Sequence, residues 1–441
     1  MTYAEAVARL TALRGGELAG MRPGLERIQA LLAALGHPEE RYALVQVGGT
    51  NGKGSTAAML AAILKAAGRR VGLYTSPHLV SFRERIRVDG EPIPEDAVVD
   101  GVEALGTLVA RLDATMFEAT TALALDHFAR EGVEVAVLEV GLGGRLDATT
   151  VGRPVVTILT RIDLDHQAVL GPTLAAIAAE KAAIVRAGLA LSAAQAPEAA
   201  AVIEARARAQ GVPLLVEGRD LFVTVRASGL AGQRLECAGP DWRLEDLHLA
   251  LLGRFQASNA LLAVAAARAL GADAAAIRAG LARVRWPGRL QVLPGEPTLV
   301  LDGAHNPGAA AALAAALREL FGPAPITLVL GVSADKDAAG ILAALAPVAA
   351  RLVLTRAATP RAADPAALRA LAPPALPVEV APDVTAALDA ARRPPTTPVV
   401  CVTGSLFLVG DVLRALGGNE NPWPVETAAA SMGRLGPGDA G

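Results

Sequence analysis

A glycine-rich loop narrows most sharply what this chain can fold into. Gly48-Gly49-Thr50-Asn51-Gly52-Lys53-Gly54-Ser55-Thr56 lies between an apolar run, Tyr42 to Val47, and an alanine-rich stretch from Ser55 to Ala67. The run predicts a buried strand and the stretch a helix. Glycines at such a junction let successive backbone N–H groups turn toward one point, the helix start adds positive potential, and a lysine there can reach an outer phosphate. The match to the usual phosphate loop is imperfect. Val47 stands where its first glycine belongs, and Gly54 separates Lys53 from the hydroxyl of Ser55.

The same strand-then-helix rhythm continues, which predicts α/β layering around mostly parallel sheets. Val71 to Thr75, Val133 to Val140 and Pro154 to Thr160 read as further strands, with helices over Thr173 to Arg186, Pro197 to Gln210 and Ser258 to Leu270. A second alternation follows Trp286-Pro287-Gly288-Arg289. It has strands at Thr298 to Leu301, Ile326 to Leu330, Leu352 to Leu354 and Val399 to Val402, with helices from Gly308 and near Ala338. At 441 residues the chain is long for a single core. We therefore expect a P-loop ATPase-like domain over 1–288, hinged near Pro287 to a smaller Rossmann-like domain over 289–417, and a flexible tail over 418–441. The span Val212 to Leu252 reads as a strand-rich excursion of the first domain.

Composition removes several classes. Hydrophobic residues make up 52% and charged ones 19%, which is incompatible with disorder as the main state. A net charge of −3 supplies no global field for nucleic acid or an anionic membrane, so any anion must be bound locally. Cys237 and Cys401 offer neither a disulfide framework nor a zinc quartet. No run is apolar enough to span a bilayer, and Glu5 and Arg9 interrupt the first residues. These features predict a soluble cytoplasmic protein with neither nucleic acid nor membrane as partner; we expect it to be a monomer that acts on small molecules. Only four of the 41 basic residues are lysines: Lys53, Lys65, Lys181 and Lys336. Where arginine serves as the generic cation, a retained lysine marks a place that needs a primary amine.

The loop variant Thr50-Asn51-Gly52-Lys53-Gly54-Ser55 resembles the ATP loop of the Mur ligase superfamily. Further motifs, in order, narrow the resemblance to the folylpolyglutamate synthase/dihydrofolate synthase family. These are Thr75-Ser76-Pro77-His78-Leu79 with Glu84-Arg85-Ile86, Phe117-Glu118 with Thr121, and the run Glu139 to Thr149. Asp165-His166, Glu180-Lys181-Ala182, Asn259, Pro287-Gly288-Arg289, Asp302-Gly303-Ala304-His305-Asn306-Pro307, Asp335-Lys336-Asp337 and Thr403-Gly404-Ser405-Leu406 complete the series. The resemblance covers roughly residues 20 to 412. Thr150 and Ala183 depart from the family's usual asparagine and glycine at two motif ends.

The resemblance implies an ATP-dependent amide ligase that joins L-glutamate to dihydropteroate, to a reduced folate, or to both. It implies ATP contacts from Thr50, Asn51, Gly52, Lys53, Gly54, Ser55, Asn259, Arg289 and Asp302. Folate contacts would come from Ser76, Pro77, His78, Phe117, Arg145, Leu146 and Asp147. Two magnesium ions would be held by Ser76, Glu139, His166 and a carbamylated Lys181, and Lys53, Lys181 and His305 would be catalytic, with glutamate entering near His305 and Ser405.

The residue chemistry is compatible with this. Hydroxyl and carboxylate oxygens suit magnesium, and each candidate follows a strand end, where ligands gather in open α/β sheets. Taken singly, Glu139 is an ordinary strand-end carboxylate and His166 a satisfied histidine; Arg145 is an ion-pair partner or, after two glycines, a group close to a ligand, and Asn306 is either a helix cap or, with His305, a polar contact for a phosphate or an incoming carboxylate. Lys336, between two aspartates, reads as a local salt bridge. His37, His127 and His248 belong to no motif and read as structural. Another Mur-type amino-acid ligase would need room for a further N-terminal domain, which the early position of Gly48 does not leave. A nucleotide switch without ligase activity would have no use for the folate-side loop.

Overall fold

The computed structural model describes residues 1–13 and 24–417; the expected tail at 418–441 lies outside the described residues. The first domain is built on an eight-stranded sheet. Its strands are β1 (Ala43–Gly48), β2 (Val71–Tyr74), β3 (Ile86–Val88), β4 (Glu91–Pro92), β5 (Val135–Glu139), β6 (Pro154–Leu159), β7 (Leu189–Ser192) and β8 (Leu214–Val216). They run in the order β4-β3-β2-β5-β1-β6-β7-β8. All neighbours from β2 through β8 are parallel, while β3 and β4 form an antiparallel edge. β1 and β5 are apolar along nearly their whole length because both faces of the sheet are covered.

One face packs against the helices Lys53–Ala66, Phe255–Ala269 and Ala274–Arg283, with Met59, Ile63, Leu261 and Ile277 at its centre. The other packs against Glu95–Leu112 and Met116–Arg130, with Tyr74, Leu125 and Phe128 inside. Neither helix is among those expected from the sequence, where Phe117-Glu118 stands out as a motif on the ligand side. Thr115 and Glu118 in fact form a reciprocal capping box at the start of the second helix, and Glu118 also pairs with Arg27 at 3.0 Å. The helix expected to reach Arg186 is regular only over Leu174–Ala182. Beyond it the chain tightens, with Ile184 N–H and Val185 N–H donating to the carbonyls of Lys181 and Ala182.

The strand-rich excursion is a three-stranded antiparallel sheet of β9 (Phe222–Gly229), β10 (Gly232–Gly239) and β11 (Trp242–Leu249). Its apolar side, including Leu235 and Leu247, joins the first core. The smaller domain carries β12 (Gln291–Leu293), β13 (Thr298–Leu301), β14 (Ile326–Leu330), β15 (Ala349–Leu354), β16 (Val378–Val380) and β17 (Val399–Thr403). Their order is β12-β13-β17-β14-β15-β16, parallel except for β12. No helix among the described residues is long and apolar enough to cross a membrane.

The helix Ala274–Arg283 crosses Lys53–Ala66 at a glycine. A Cβ on Gly280 would lie 2.4 Å from the Cα of Ile63, a backbone atom that no rotamer change can move aside. The helix behind the phosphate loop is therefore held by a contact that only glycine permits. Gly280→Ala should lower the thermal unfolding midpoint, because overpacking costing about 1–3 kcal/mol exceeds the gain in helix propensity of about 1 kcal/mol. A higher midpoint would show that the crossing tolerates a methyl group.

Candidate active site

The carboxyl ends of the parallel strands face a cavity of about 900 Å³ walled by both domains. The loop after β1 forms its floor. Gly49 and Gly52 have φ of 138° and 94°, and a Cβ on them would meet Thr160 Oγ1 at 2.0 Å and Asn259 Oδ1 at 2.2 Å. Lys53 opens the following helix and its Nζ donates to the Thr50 carbonyl at 3.1 Å. Gln256 Nε2 donates to Ser55 Oγ at 3.2 Å, and Asn259 Nδ2 donates to Gln256 Oε1 at 2.8 Å, which ties the loop to the helix Phe255–Ala269. Thr50 through Ser55 and Asn259 all line the cavity.

Glu139 ends β5 and is buried beside this loop. Its Oε2 accepts the Ser76 N–H at 3.1 Å. Burial pushes the Glu139 carboxyl up, against the pull of nearby Lys53, and the same burial pushes the Lys53 ammonium down. Lys181 is 4% exposed, and its Nζ donates to the Gly49 carbonyl at 2.8 Å. Burial, followed by the charge of Lys53, lowers it to about 7. Ser76, Glu139, His166 and Lys181 thus all border one space, among hard oxygen donors and a neutral imidazole. Burial lowers His166 to about 4, so it is an unprotonated nitrogen base at neutral pH.

Pro77, Phe117, Arg145, Leu146 and Asp147 form another wall. Asp147 is buried and shapes its own loop. Its Oδ2 accepts Gly141 N–H and Leu142 N–H at 3.0 and 2.9 Å, and its Oδ1 accepts Thr149 N–H and Oγ1–H at 2.9 and 2.6 Å. Thr150, the departure from the family pattern, donates to the Gly144 carbonyl at 2.7 Å and accepts from Gln46 Nε2 at 2.8 Å. Arg145 is exposed and pairs with Glu180 at 3.0 Å.

His78 alone among the expected site residues does not line the cavity. Its Nδ1 accepts from Arg85 Nε at 2.9 Å, and burial holds the ring neutral. Arg85, to which the motif resemblance assigns no role, is the group that reaches the cavity wall. It is 2% exposed, and burial lowers its guanidinium to about 9 against the attraction of Glu139.

From the smaller domain come Arg289, Asp302, His305 and Ser405. Asp302 accepts Leu290 N–H at 2.7 Å and Ala304 N–H at 2.8 Å, which fixes the turn that carries Arg289 and Leu290. His305 Nδ1–H donates to the Gly303 carbonyl at 2.8 Å, leaving Nε2 as the acceptor in the neutral ring, and burial lowers its pKa to about 4. Lys336 makes no local salt bridge with its neighbours. It reaches Asp165 Oδ1 at 2.6 Å, while Asp335 pairs with Arg361 and Asp337 caps the helix Ala338–Leu345. Burial would raise the Asp165 carboxyl, but His166, Lys336 and His305 together hold it below the ordinary range. Of the four lysines, Lys53, Lys181 and Lys336 line the cavity, whereas Lys65 donates to the Asp89 carbonyl on the outside. The one group of three metal-ligating His, Cys, Asp or Glu side chains that converges among the described residues, His37, Glu39 and Glu40, lies outside the cavity.

Two family models match the chain: the Mur ligase middle domain over residues 47–267 and the Mur ligase, glutamate ligase domain over 288–406. A Lacticaseibacillus casei protein named folylpolyglutamate synthase is 38% identical over 90% of this chain and 95% of its own length. A Haloferax volcanii protein named "Probable bifunctional folylpolyglutamate synthase/dihydropteroate synthase" is 44% identical over 93% of this chain, which spans only 50% of that longer protein. A solved structure of Escherichia coli FolC in complex with DHPP and ADP superposes with a TM-score of 0.87 at 34% identity, covering 95% of this chain and 98% of that one. With these motifs gathered on one cavity and likeness of this extent, the chain belongs to the folylpolyglutamate synthase/dihydrofolate synthase family of the Mur ligase superfamily.

Proposed function

We propose that the protein is an ATP-dependent ligase that forms an amide between the carboxylate of a folate-type acceptor and the amino group of L-glutamate, acting on both dihydropteroate and reduced folates. The observation that carries this reading is the shared cavity. Phosphate-loop residues, Glu139 and Lys181 from the first domain face Arg289, His305 and Ser405 from the second. We take the domains as 1–288 and 289–417, and the protein as a cytoplasmic monomer.

A carboxylate does not condense with an amine at neutral pH because oxide is a poor leaving group. In the proposed reaction a carboxylate oxygen of the acceptor attacks the γ-phosphorus of ATP, the bond to the β-phosphate oxygen breaks, and ADP leaves an acyl phosphate. The glutamate nitrogen then attacks the acyl carbon, the C–O bond to phosphate breaks, and the amine loses a proton. The Thr50 to Ser55 backbone and Lys53 bind the outer phosphates, with Asn259, Arg289 and Asp302 on the rest of the nucleotide. Pro77, Phe117 and the Arg145 to Asp147 loop hold the acceptor. Neutral His305 Nε2 accepts from the glutamate amine and orients it. Closure of the two domains excludes water, which would otherwise hydrolyse the acyl phosphate.

Buried Glu139, with Ser76 and His166, offers the donor set for a magnesium ion, which would supply charge neutralisation at the phosphates. A buried Lys181 near neutrality fits carbamylation. Its unprotonated amine can add to carbon dioxide, and the resulting anion relieves the repulsion from Lys53 and offers a second ion an oxygen ligand. Arginine cannot do this.

Glutamate-dependent phosphate release should appear with dihydropteroate and with tetrahydrofolate as acceptors. Release independent of both acceptor and glutamate would instead identify a nucleotide switch. Lys53→Ala should abolish ATP turnover with the fold intact, as judged by circular dichroism; near-normal turnover would remove the phosphate-loop assignment.

With 13C-bicarbonate, a carbamate resonance should grow as pH rises through about 7, because only the neutral amine reacts, and should be missing from Lys181→Ala. That variant and Lys181→Arg should be nearly inactive, and only the alanine variant should regain part of its activity with short carboxylic acids. An unmodified lysine together with an active Lys181→Ala enzyme would overturn the carbamate.

A further inference from the structure

One buried side chain joins the phosphate loop to the smaller domain. Asn306 is 2% exposed and sits at the N-cap of the helix Pro307–Phe321. Its Oδ1 accepts the Ala309 N–H at 2.9 Å, which is the ordinary capping bond, and also Asn51 Nδ2 at 3.2 Å. Its Nδ2 donates to Asn51 Oδ1 at 2.9 Å and to Asp165 Oδ2 at 3.3 Å. All four hydrogen-bonding positions of the amide are therefore used. The orientation is fixed, because a flipped amide would set its NH₂ against the Ala309 N–H.

Asn51 belongs to the loop proposed to hold the outer phosphates, and its Nδ2 also donates to Asp163 Oδ2 at 3.0 Å. His305 immediately precedes Asn306 and faces the same cavity. A displacement of Asn51 by a nucleotide must either carry Asn306 with it or break two hydrogen bonds in a buried setting, where unpaired amides are costly. We propose that Asn306 is a positioning residue for the ligase reaction, coupling the state of the phosphate loop to the placement of His305 and the smaller domain through its paired amide with Asn51. This rests on the ligase reading above. It assigns Asn306 no contact with substrate.

The test separates coupling from capping. Asn306→Ser keeps a good N-cap but is too short to reach Asn51, and Asn306→Asp keeps both cap and size while replacing the donor with an acceptor. Both should fold, with a lowered thermal midpoint that falls further for aspartate, whose carboxylate would face Asp165, and both should bind the non-hydrolysable analogue AMPPCP within about threefold. Their kcat with saturating glutamate and acceptor should fall at least about tenfold, more for aspartate than for serine. The double variant Asn51→Ser/Asn306→Ser should be no slower than the slower single one, because the two amides act as a unit. Unchanged kcat in both Asn306 variants, or losses that multiply in the double variant, would overturn the proposal.

A nucleotide-only measurement keeps this apart from the acceptor chemistry. AMPPCP should slow amide hydrogen exchange over residues 308–311 in the wild type and not in Asn306→Ser. If wild type shows no glutamate-dependent phosphate release yet this difference appears, the ligase reading fails and the coupling stands. Equal slowing in both proteins ends the coupling.

Discussion

The loop from Gly48 to Ser55 keeps its curl because nothing larger than hydrogen fits at Gly49 and Gly52, where Thr160 and Asn259 close in. Those two contacts come from β6's end and from the helix Phe255–Ala269, so the loop is a joint product of elements far apart in sequence. The Lys181 amine closes it from another side by holding the Gly49 carbonyl. Thr50 N–H and Asn51 N–H both donate to the Arg161 carbonyl, so the curl is set by the protein itself and the helix start behind it carries the positive potential that an anion meets.

Charge is concentrated around that loop at a cost. Lys53, Lys181, Arg85 and Arg289 are each driven toward their neutral forms by burial, and Glu139 toward its protonated one. Such a group of like charges in a low-dielectric setting is unfavourable until a polyanion enters. The surrounding carboxylates offset only part of it. Asp165 does so most directly, facing Lys336, His305 and Asn306 of the smaller domain. Around the cavity the two domains meet through these polar groups, while Leu252 and Phe255, and Leu79 and Val80, of the first domain pack against the two apolar cores of the smaller one.

Much of this was legible in the sequence because the signals were local. Parallel strands buried on both faces, such as β5 and β14, read as continuous apolar runs. The motif residues could be gathered because each follows such a run. The helix Met116–Arg130 is signalled by the capping box of Thr115 and Glu118, a signal that overlaps the folate-side motif at Phe117, while Glu95–Leu112 has no side-chain cap to mark its start. Other features could not have been read from any window. Lys336 ignores the aspartates beside it because one is committed to Arg361 and the other to a helix start, and its partner lies 171 residues away. His78 is turned from the cavity by Arg85, a relation that depends on how the chain between them folds back. Asn306 is the helix cap that its sequence position allows and also an interdomain contact that no sequence window contains.

The uneven placement of the lysines bears on how the protein can be handled. Three of its four ε-amines line the cavity, and the fourth, on Lys65, sits at the outer end of the helix that starts at the phosphate loop. Apart from the α-amino group, a bulky amine-directed reagent or an activated surface therefore meets a single accessible side chain. Molecules tethered through Lys65 share one orientation with their cavity unobstructed, while small amine-selective electrophiles that enter the cavity find the three residues on which its electrostatics depend.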